Sequence, residues 1–544
     1  MPELRGIGVS PGSAAGPVRR LAPPPALPPR PAVIRAADEK AAFRAAVASV
    51  ATDLTRRADA ARDEAAAEVL RAQVLMAEDE TLVGAVLELV DAGAAAPHAV
   101  TDALAVHRAA FEAAGGYLAE RAGDLDDLRD RIVAACLGLP MPGVPDPGHP
   151  FVLVARDLAP ADTAGLDPAT VLGLVTAEGG PTSHTAILAR ALGIPAVVRC
   201  AGILDLPDGT LVSLDGAAGA VETGISAGTA GGVNTAEVAA RTRRAASTGP
   251  GRTADGHPVA LLANIGSAKD LTGDVEGVGL FRTELLYLGR TAPPPRAEQV
   301  AAYRSVFAAL PGRRVVVRTL DAGADKPLPF LRLAGEPNPA LGIRGLRAAR
   351  QAPDVLSTQL SAIAEAAEGT SADVWVMAPM VATPAEAADF AASCRSAGLR
   401  TAGVMIEVPA AALRAGAVLR GVDFLSVGTN DLSQYTFAAD RTCGDLAELL
   451  DPWQPALISL IAACATAGAG AGKPVGVCGE SAADPHFALV LAGLGIASLS
   501  MAPRSIPAVR QSLAAHTLDE CRRMAEAALA ADTAKAARAA ARRA

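Results

Sequence analysis

The sequence predicts a multidomain α/β protein whose C-terminal half is a (β/α)8 barrel. Three observations lead there: the length, a change of hydrophobic period part-way along the chain, and eight short apolar runs separated mostly by helix-length segments. With 544 residues the chain exceeds a single domain of roughly 100–200 residues. Hydrophobic residues make up 51% and charged residues 20%, enough apolar surface for large cores, which excludes a mostly disordered protein. Lys and Arg total 49 against 58 Asp and Glu, a net charge of −9. That balance argues against nucleic acid as the main partner. An anionic substrate needs only a few placed arginines.

The elements follow in order. Gly6-Ile-Gly-Val-Ser-Pro-Gly12 reads as a short strand closed by a Gly/Pro turn. After a Pro-rich stretch the period becomes helical. Phe43, Val47, Val50 and Leu54 share one helix face, as do Leu82, Val83, Val86, Leu87 and Val90, and again Leu125, Leu128 and Ile132. Residues 37–138 therefore read as a helical bundle. The proline-dense 140–150 segment cannot continue a helix and marks a boundary. Beyond it, 151–155, 171–176, 196–198 and 211–214 read as strands, with a helix at 185–192. Residues 226–256 are Gly/Ala/Ser-rich with a helix-like AEVAARTRRAA core and read as a linker. The barrel strands are expected at 259–265, 277–281, 314–320, 374–378, 401–407, 423–427, 474–477 and 497–501.

Barrel enzymes work at the C-terminal ends of their strands, and here those ends are polar. They carry Arg282 and Glu284, Arg318 and Asp321, Glu407, Asn430 and Asp431, Cys478 and Glu480. Glu407 and Asp431 suit a divalent cation such as Mg²⁺, whose shell substrate oxygens would complete; loop ion pairs are the plainer alternative. Arg282, Arg318, Arg344 and Arg441 offer planar forks that match phosphate and carboxylate, and each alone also reads as a solvated surface charge. Cys478, in Gly476-Val-Cys-Gly-Glu480, places a thiol where it could exchange a proton with a substrate carbon, or simply fill a core. In Gly179-Gly-Pro-Thr-Ser-His184-Thr-Ala-Ile, Thr182 or Ser183 can cap a helix that starts near His184. A histidine at a helix N-terminus could carry a phosphoryl group, since the terminus favours an anion. The other six histidines and six cysteines have no such address.

No apolar run approaches the roughly 18–20 residues of a membrane helix, the N-terminus shows no signal-peptide core, and the seven cysteines show no paired or metal-like spacing. The sequence therefore reads as cytoplasmic, without direct membrane insertion.

Taken together, the motifs resemble the Enzyme I family of the bacterial phosphoenolpyruvate:sugar phosphotransferase system, the phosphoenolpyruvate-protein phosphotransferases. They are GGPTSHTAILARALGIPAVV (179–198), GVGLFRTELLY (277–287), RTLDAGADKP (318–327), NPALGIRGLR (338–347), MIEVPAA (405–411), DFLSVGTNDLSQYTFAADR (423–441) and GVCGESAAD (476–484). The resemblance spans nearly the whole chain. It implies that His184 is phosphorylated on Nε2 and that Arg282, Arg318, Arg344 and Arg441 bind the phosphate and carboxylate of phosphoenolpyruvate. Asn430 then binds substrate, Glu407 and Asp431 hold Mg²⁺ with Asp431 also in the substrate site, and Cys478 protonates the methylene carbon to release pyruvate. It also implies a swivelling phosphohistidine α/β domain (1–20 plus 141–225) with an inserted helical domain (30–140) that docks the phosphocarrier protein HPr. A linker (226–256) leads to the barrel (257–544), which binds phosphoenolpyruvate and forms a homodimer. The function implied is the first step of phosphotransferase-system sugar uptake.

Three positions depart from the family pattern: Pro181 where Arg is common, Ala324 in place of a glycine, and Cys200 where glycine is frequent. Pyruvate phosphate dikinase or phosphoenolpyruvate synthase shares two modules but needs an ATP-binding domain, for which no Gly-rich nucleotide motif is present. The nitrogen-linked paralogue carries a sensory domain, for which no room is expected before Gly6. A non-catalytic docking protein of the same fold is the remaining alternative.

Overall fold

A computed structural model describes residues 3–544 except 22–24, 32–33, 61–63, 115–121, 140–142, 146, 159–161, 163–165, 181–183, 246, 289, 324–327, 332–335, 337 and 442. The chain divides into two compact units, Met1–Ala240 and Arg241–Ala544.

The first unit is built on one eight-stranded sheet. Its strands are β1 (Glu3–Arg5), β2 (Ile7–Ser10), β3 (Ser13–Arg20), β4 (Phe151–Ala155), β5 (Val171–Thr176), β6 (Ala196–Val198), β7 (Leu211–Asp215) and β8 (Ala220–Thr223). Their order is β1-β8-β7-β3-β4-β5-β6-β2. The N-terminus supplies three strands where the sequence suggested one, because Gly12, at φ +122°, turns the chain from β2 into β3. β3 pairs parallel to β4 and antiparallel to β7, so the first twenty residues belong to the same sheet as residues 151–223.

β4 is buried along its whole length, with Phe151, Leu153 and Ala155 in one core and Val152 and Val154 in another. Both faces of the sheet are covered, which is why its central strands read as unbroken apolar runs. Between β3 and β4 come the helices Ala36–Ala60, Glu64–Ala77, Glu80–Asp91, Ala96–Ala114 and Ala122–Cys136. Phe43, Val47, Val50 and Leu54 meet Leu82, Val86, Val90, Leu125, Leu128 and Ile132 in a single core, the faces that the helical period picked out. Val83 and Leu87 lie at its edge.

The 226–256 segment contains a helix, Ala227–Ala245. Asn234 ties it to the first sheet through both the N–H (2.9 Å) and the carbonyl (2.7 Å) of Ala15. At the far end of the segment, Gly249 and Gly251 donate their N–H groups to Asp274 and Glu276.

The second unit is a closed parallel barrel. Its strands are β9 (Ala260–Ile265), β10 (Gly277–Arg282), β11 (Arg314–Arg318), β12 (Asp373–Ala378), β13 (Thr401–Ile406), β14 (Phe424–Val427), β15 (Val475–Val477) and β16 (Ser498–Met501). They pair in chain order, and β16 closes onto β9. All eight expected runs are strands. Most of the apolar core lies between the barrel and its helices. Leu280, Val316, Met377, Met405, Phe424 and Cys478 form a separate cluster.

One stretch among the described residues, Leu446–Ala471, is long and apolar enough by composition to cross a membrane. Glu448, Asp451, Pro452 and Gln454 interrupt it as an apolar run, while Ala and Leu keep the mean high. Its helix Pro455–Ala471 buries Leu457, Ile458, Ile461, Cys464 and Ala465 in the barrel's outer core.

Candidate functional site at the strand ends of the barrel

Parallel pairing brings all strand C-termini to one end, so the residue that follows each strand is delivered to a common rim. β10 ends on Arg282 and is followed by Glu284; β11 ends on Arg318, three residues before Asp321. β13 delivers Glu407, β14 leads into the helix Thr429–Phe437 with Asn430 and Asp431 in its first turn, and β15 delivers Cys478.

Arg344 lies at the centre, 1% exposed. Its Nε and Nη2 donate to the two oxygens of Asp321 at 3.1 Å each, and Nη1 and Nη2 donate to Asp431 at 3.0 and 3.2 Å. Arg318 reaches Asp321 at 3.2 Å and Glu284 at 2.9 Å. Arg441 approaches Asp431 at 3.7 Å and is partly exposed. Arg282 is exposed at the rim. Asn430 Oδ1 accepts the Glu480 N–H at 3.2 Å, which joins the loops after β14 and β15. Burial alone would lower the pKa of Arg318 and Arg344. The neighbouring carboxylates more than offset it, Glu284 and Asp321 for the first and Asp321 and Asp431 for the second, so both lie above the ordinary arginine value.

Glu407 stands apart. It is 2% exposed. Its Oε2 accepts the Met380 N–H at 2.8 Å, from a backbone held at φ +58°. Among the described residues, no hydrogen bond reaches its other oxygen. Burial, then the charges of Asp431 and Asp321, push its pKa up to about 8. Gly428 lies against it: a Cβ there would sit 2.8 Å from Glu407 Cγ. Cys478 is also buried, its Sγ directed at the Val427 carbonyl (3.6 Å). Burial pushes the thiol up to about 11, so it carries its proton at neutral pH.

Among the described residues, no group of three or more His, Cys, Asp or Glu side chains gathers in a metal-binding cluster. The donors at the rim nevertheless fit a hard cation of the Mg²⁺ type. Glu407 and Asp431 are oxygen donors whose mutual repulsion raises the Glu407 pKa, and Mg²⁺ commonly takes one or two carboxylates and leaves the remaining positions to water and phosphate oxygens.

The structure thus gathers Arg282, Arg318, Arg344, Glu407, Asn430, Asp431, Arg441 and Cys478 at one end of the barrel. His184 belongs to the other unit, where it opens the helix His184–Leu192. Its side chain, the capping candidates Thr182 and Ser183, Pro181 and Ala324 lie outside the described residues. Thr185 Oγ1, one residue on, donates to Asp157 (2.9 Å). Cys200 is a buried core residue of the first unit.

Two members of the site were read from the sequence only as strand-end charges, without a role. Asp321, 0% exposed, joins Arg318 to Arg344. Glu284 accepts from both Arg318 and the Asp321 N–H. Their signal was the charge that ends each apolar run.

Comparison with known proteins gives consistent findings. Residues 5–121 match the model described as PEP-utilising enzyme, N-terminal; residues 147–219 match its mobile domain, and residues 240–518 its PEP-binding domain. The chain is 54% identical over 546 residues to the phosphoenolpyruvate-protein phosphotransferase of Streptomyces coelicolor, covering 99% of this chain and 98% of that one. It is 39% identical to the protein of the same name from Haloferax volcanii, with 97% of each covered. A solution structure of Enzyme I (nEIt) is 31% identical over 44% of this chain and 99% of that one, with a TM-score of 0.38.

Proposed function

The chain belongs to the phosphoenolpyruvate-protein phosphotransferase family, and on that premise we propose that it moves the phosphoryl group of phosphoenolpyruvate to its own His184 and then to a histidine of HPr. Phosphoenolpyruvate-dependent phosphotransfer is the family's activity; the acceptor, the place in sugar uptake and the residue roles are our reading. One observation carries it: four arginines, two metal-type carboxylates and a protonated thiol converge where the barrel strands end.

In this reading Arg282, Arg318, Arg344 and Arg441 bind the phosphate and carboxylate oxygens, and Asn430 orients the substrate. The buried arginines now pair with Asp321, Asp431 and Glu284, so substrate binding exchanges one set of anions for another. Mg²⁺, held by Glu407 and Asp431, would supply positive charge to the phosphoryl oxygens. His184 Nε2 forms a bond to phosphorus as the bond from phosphorus to the enol oxygen breaks. The enolate carbon takes the Cys478 proton and leaves as pyruvate, and the thiolate regains a proton from water. The low-dielectric rim strengthens these contacts, so positioning and electrostatics supply most of the catalysis.

Residues 30–140 serve as the docking site for HPr, residues 1–20 with 141–225 carry His184, and residues 257–544 bind substrate and form a homodimer. Segments 140–150 and 226–256 act as hinges, and the protein works in the cytoplasm.

The test is intact-mass spectrometry of wild type and His184→Ala after incubation with phosphoenolpyruvate and Mg²⁺. One acid-labile phosphoryl adduct on wild type alone, passed on when HPr is added, is expected. A folded wild type that takes up no phosphoryl group rejects the reading in favour of a docking protein. Cys478→Ala should slow phosphorylation by phosphoenolpyruvate more than phosphoryl exchange with HPr; equal losses would remove its role.

A further inference from the structure

Behind the arginine rim lies a chain of buried polar side chains that meets the rim through the Arg318 carbonyl and, among the described residues, bonds no guanidinium or carboxylate of the candidate site. It starts on Gln359, in the outer helix Pro353–Ala367. Gln359 is 0% exposed, as are Thr283, Tyr287 and Tyr303, and Gln299 is 1% exposed. A fully buried amide is costly unless each of its groups is bonded, and here each is. Gln359 Oε1 accepts the Leu320 N–H at 2.9 Å, and Nε2 donates to Thr283 Oγ1 at 3.0 Å and to the Tyr303 hydroxyl at 3.1 Å.

The chain has a direction. Thr283, having accepted from Gln359, donates to the Arg318 carbonyl at 2.9 Å. Tyr303, having accepted from Gln359, donates to Gln299 Oε1, which also receives the Tyr287 hydroxyl, and Gln299 Nε2 ends on the Pro294 carbonyl. No proton in this sequence can be turned round without opening a bond elsewhere.

Thr283 stands between Arg282 and Glu284, and Leu320 stands between Arg318 and Asp321 by way of Thr319. One amide on an outer helix therefore grips the ends of β10 and β11 at the backbone positions that aim four rim charges. We propose that Gln359, acting through Thr283, is a positioning residue for phosphoenolpyruvate: it fixes the ends of β10 and β11 so that Arg282 and Arg318 meet the substrate in register. This rests on the proposed function above. Binding sites of this kind need placement to about 0.5 Å, so a released strand end should weaken substrate engagement while the fold persists.

Gln359→Glu is the direct test. It keeps an acceptor for the Leu320 N–H but offers a carboxylate where an NH2 stood. Once ionised, that carboxylate can only accept, so Thr283 must donate to it and release the Arg318 carbonyl. Thr283→Val removes the relay, and Thr283→Ser keeps it. Tyr287→Phe removes a hydroxyl at the far end of the same chain and serves as the control for simple destabilisation. The readout is the phosphoenolpyruvate concentration at half-maximal rate of His184 adduct formation on the full chain with Mg²⁺, measured beside Tm. Gln359→Glu and Thr283→Val should each raise that concentration about tenfold. Their double variant should be no worse than either alone. Thr283→Ser should stay near wild type, and Tyr287→Phe should lower Tm without moving the concentration.

Wild-type half-saturation in both Gln359→Glu and Thr283→Val, or an equal rise in Tyr287→Phe, overturns the proposal. If Gln359→Glu does not fold, the Thr283→Val and Thr283→Ser pair decides. A wild type that forms no adduct rejects the proposed function instead.

Discussion

Among the described residues, Arg131 in the first unit and Arg344 in the second are the most deeply buried arginines, both set among aspartates, and the two show how the same chemistry can serve different ends. In the first unit Arg131, 0% exposed, sits on the helix Ala122–Cys136. It bonds Asp127 at 2.8 Å and Asp162 at 3.2 Å, with Asp53 at 3.8 Å. Those three carboxylates come from two helices of the insertion and from the stretch after β4, so the cation fastens the helical insertion to the sheet. In the second unit Arg344 bonds Asp321 and Asp431. Asp431 is also approached by the partly exposed Arg441, and the charge of Arg344 is felt by Glu407. Around Arg131 the charges are enclosed by packing. Around Arg344 they open onto a rim where an outside anion and a cation can enter the exchange.

Removal of each arginine separates the two cases most sharply. Arg344→Met should cut the rate of phosphorylation by phosphoenolpyruvate by about 10²–10³-fold, the range for loss of one preorganised charge donor. It should also lower stability, since Asp321 and Asp431 stay buried without their partner. Mg²⁺ should restore part of that stability through Asp431. Arg131→Met should cost about 3–5 kcal/mol in denaturant unfolding, leave the half-saturating phosphoenolpyruvate concentration unchanged, and gain nothing from Mg²⁺. A rate loss in Arg131→Met as large as that in Arg344→Met, at matched folded fraction, would erase the distinction.

A smaller effect follows from Glu407. Its folded-state pKa, about 8, lies above the ordinary 4.5, so the folded protein holds this proton more tightly than the unfolded chain does. Its contribution is therefore fully present below pH 4.5 and is lost as pH rises through about 8. Metal-free protein should lose stability across that window, Glu407→Gln should flatten the dependence, and Mg²⁺ should do the same by taking the proton's place. Thermal melts across that window check it; identical slopes for wild type and Glu407→Gln would refute it. The Arg131 cluster, whose three aspartates face Arg131 and, at Asp53, also Arg56 and Arg57, should show no response to Mg²⁺ over the same range.

How much of this was legible depends on where the information lies in the chain. The barrel strands could be read because parallel strands buried on both faces appear as unbroken apolar runs, and the rim could be read because those runs stop at charged residues. β1, β3 and β8 were missed: SAAGPVRR at 13–20 has little intrinsic strand character and pairs only because β4 and β7 flank it. Arg131 has Asp127 four residues away on its own helix. Its burial depends on Asp53 and Asp162, which no local pattern connects to it. Gln359 was invisible for the same reason, since its partner Leu320 lies 39 residues away. Local sequence announces where an element ends, but not which distant polar group completes it.

Two glycines offer the finest version of the comparison. Gly84 lies within the helix Glu80–Asp91 of the insertion, and a Cβ there would meet nothing within 4 Å. Gly84→Ala should therefore stabilise the protein by about 0.5–1 kcal/mol, through helix propensity and a less flexible unfolded chain. Gly428 follows β14, and a Cβ there would lie 2.8 Å from Glu407 Cγ and 3.1 Å from its Oε1. Gly428→Ala must push Glu407 aside, at about 1–3 kcal/mol, and should raise the Mg²⁺ concentration needed for half-maximal phosphorylation. The same methyl group is thus welcome in the insertion and harmful at the rim. The rim has no spare volume because Glu407 is pressed against the backbone of the strand that leads to Asp431. If Gly428→Ala lowered Tm but left the Mg²⁺ requirement where it was, that contact would be packing alone, and the rim would resemble the Arg131 cluster more closely than its charges suggest.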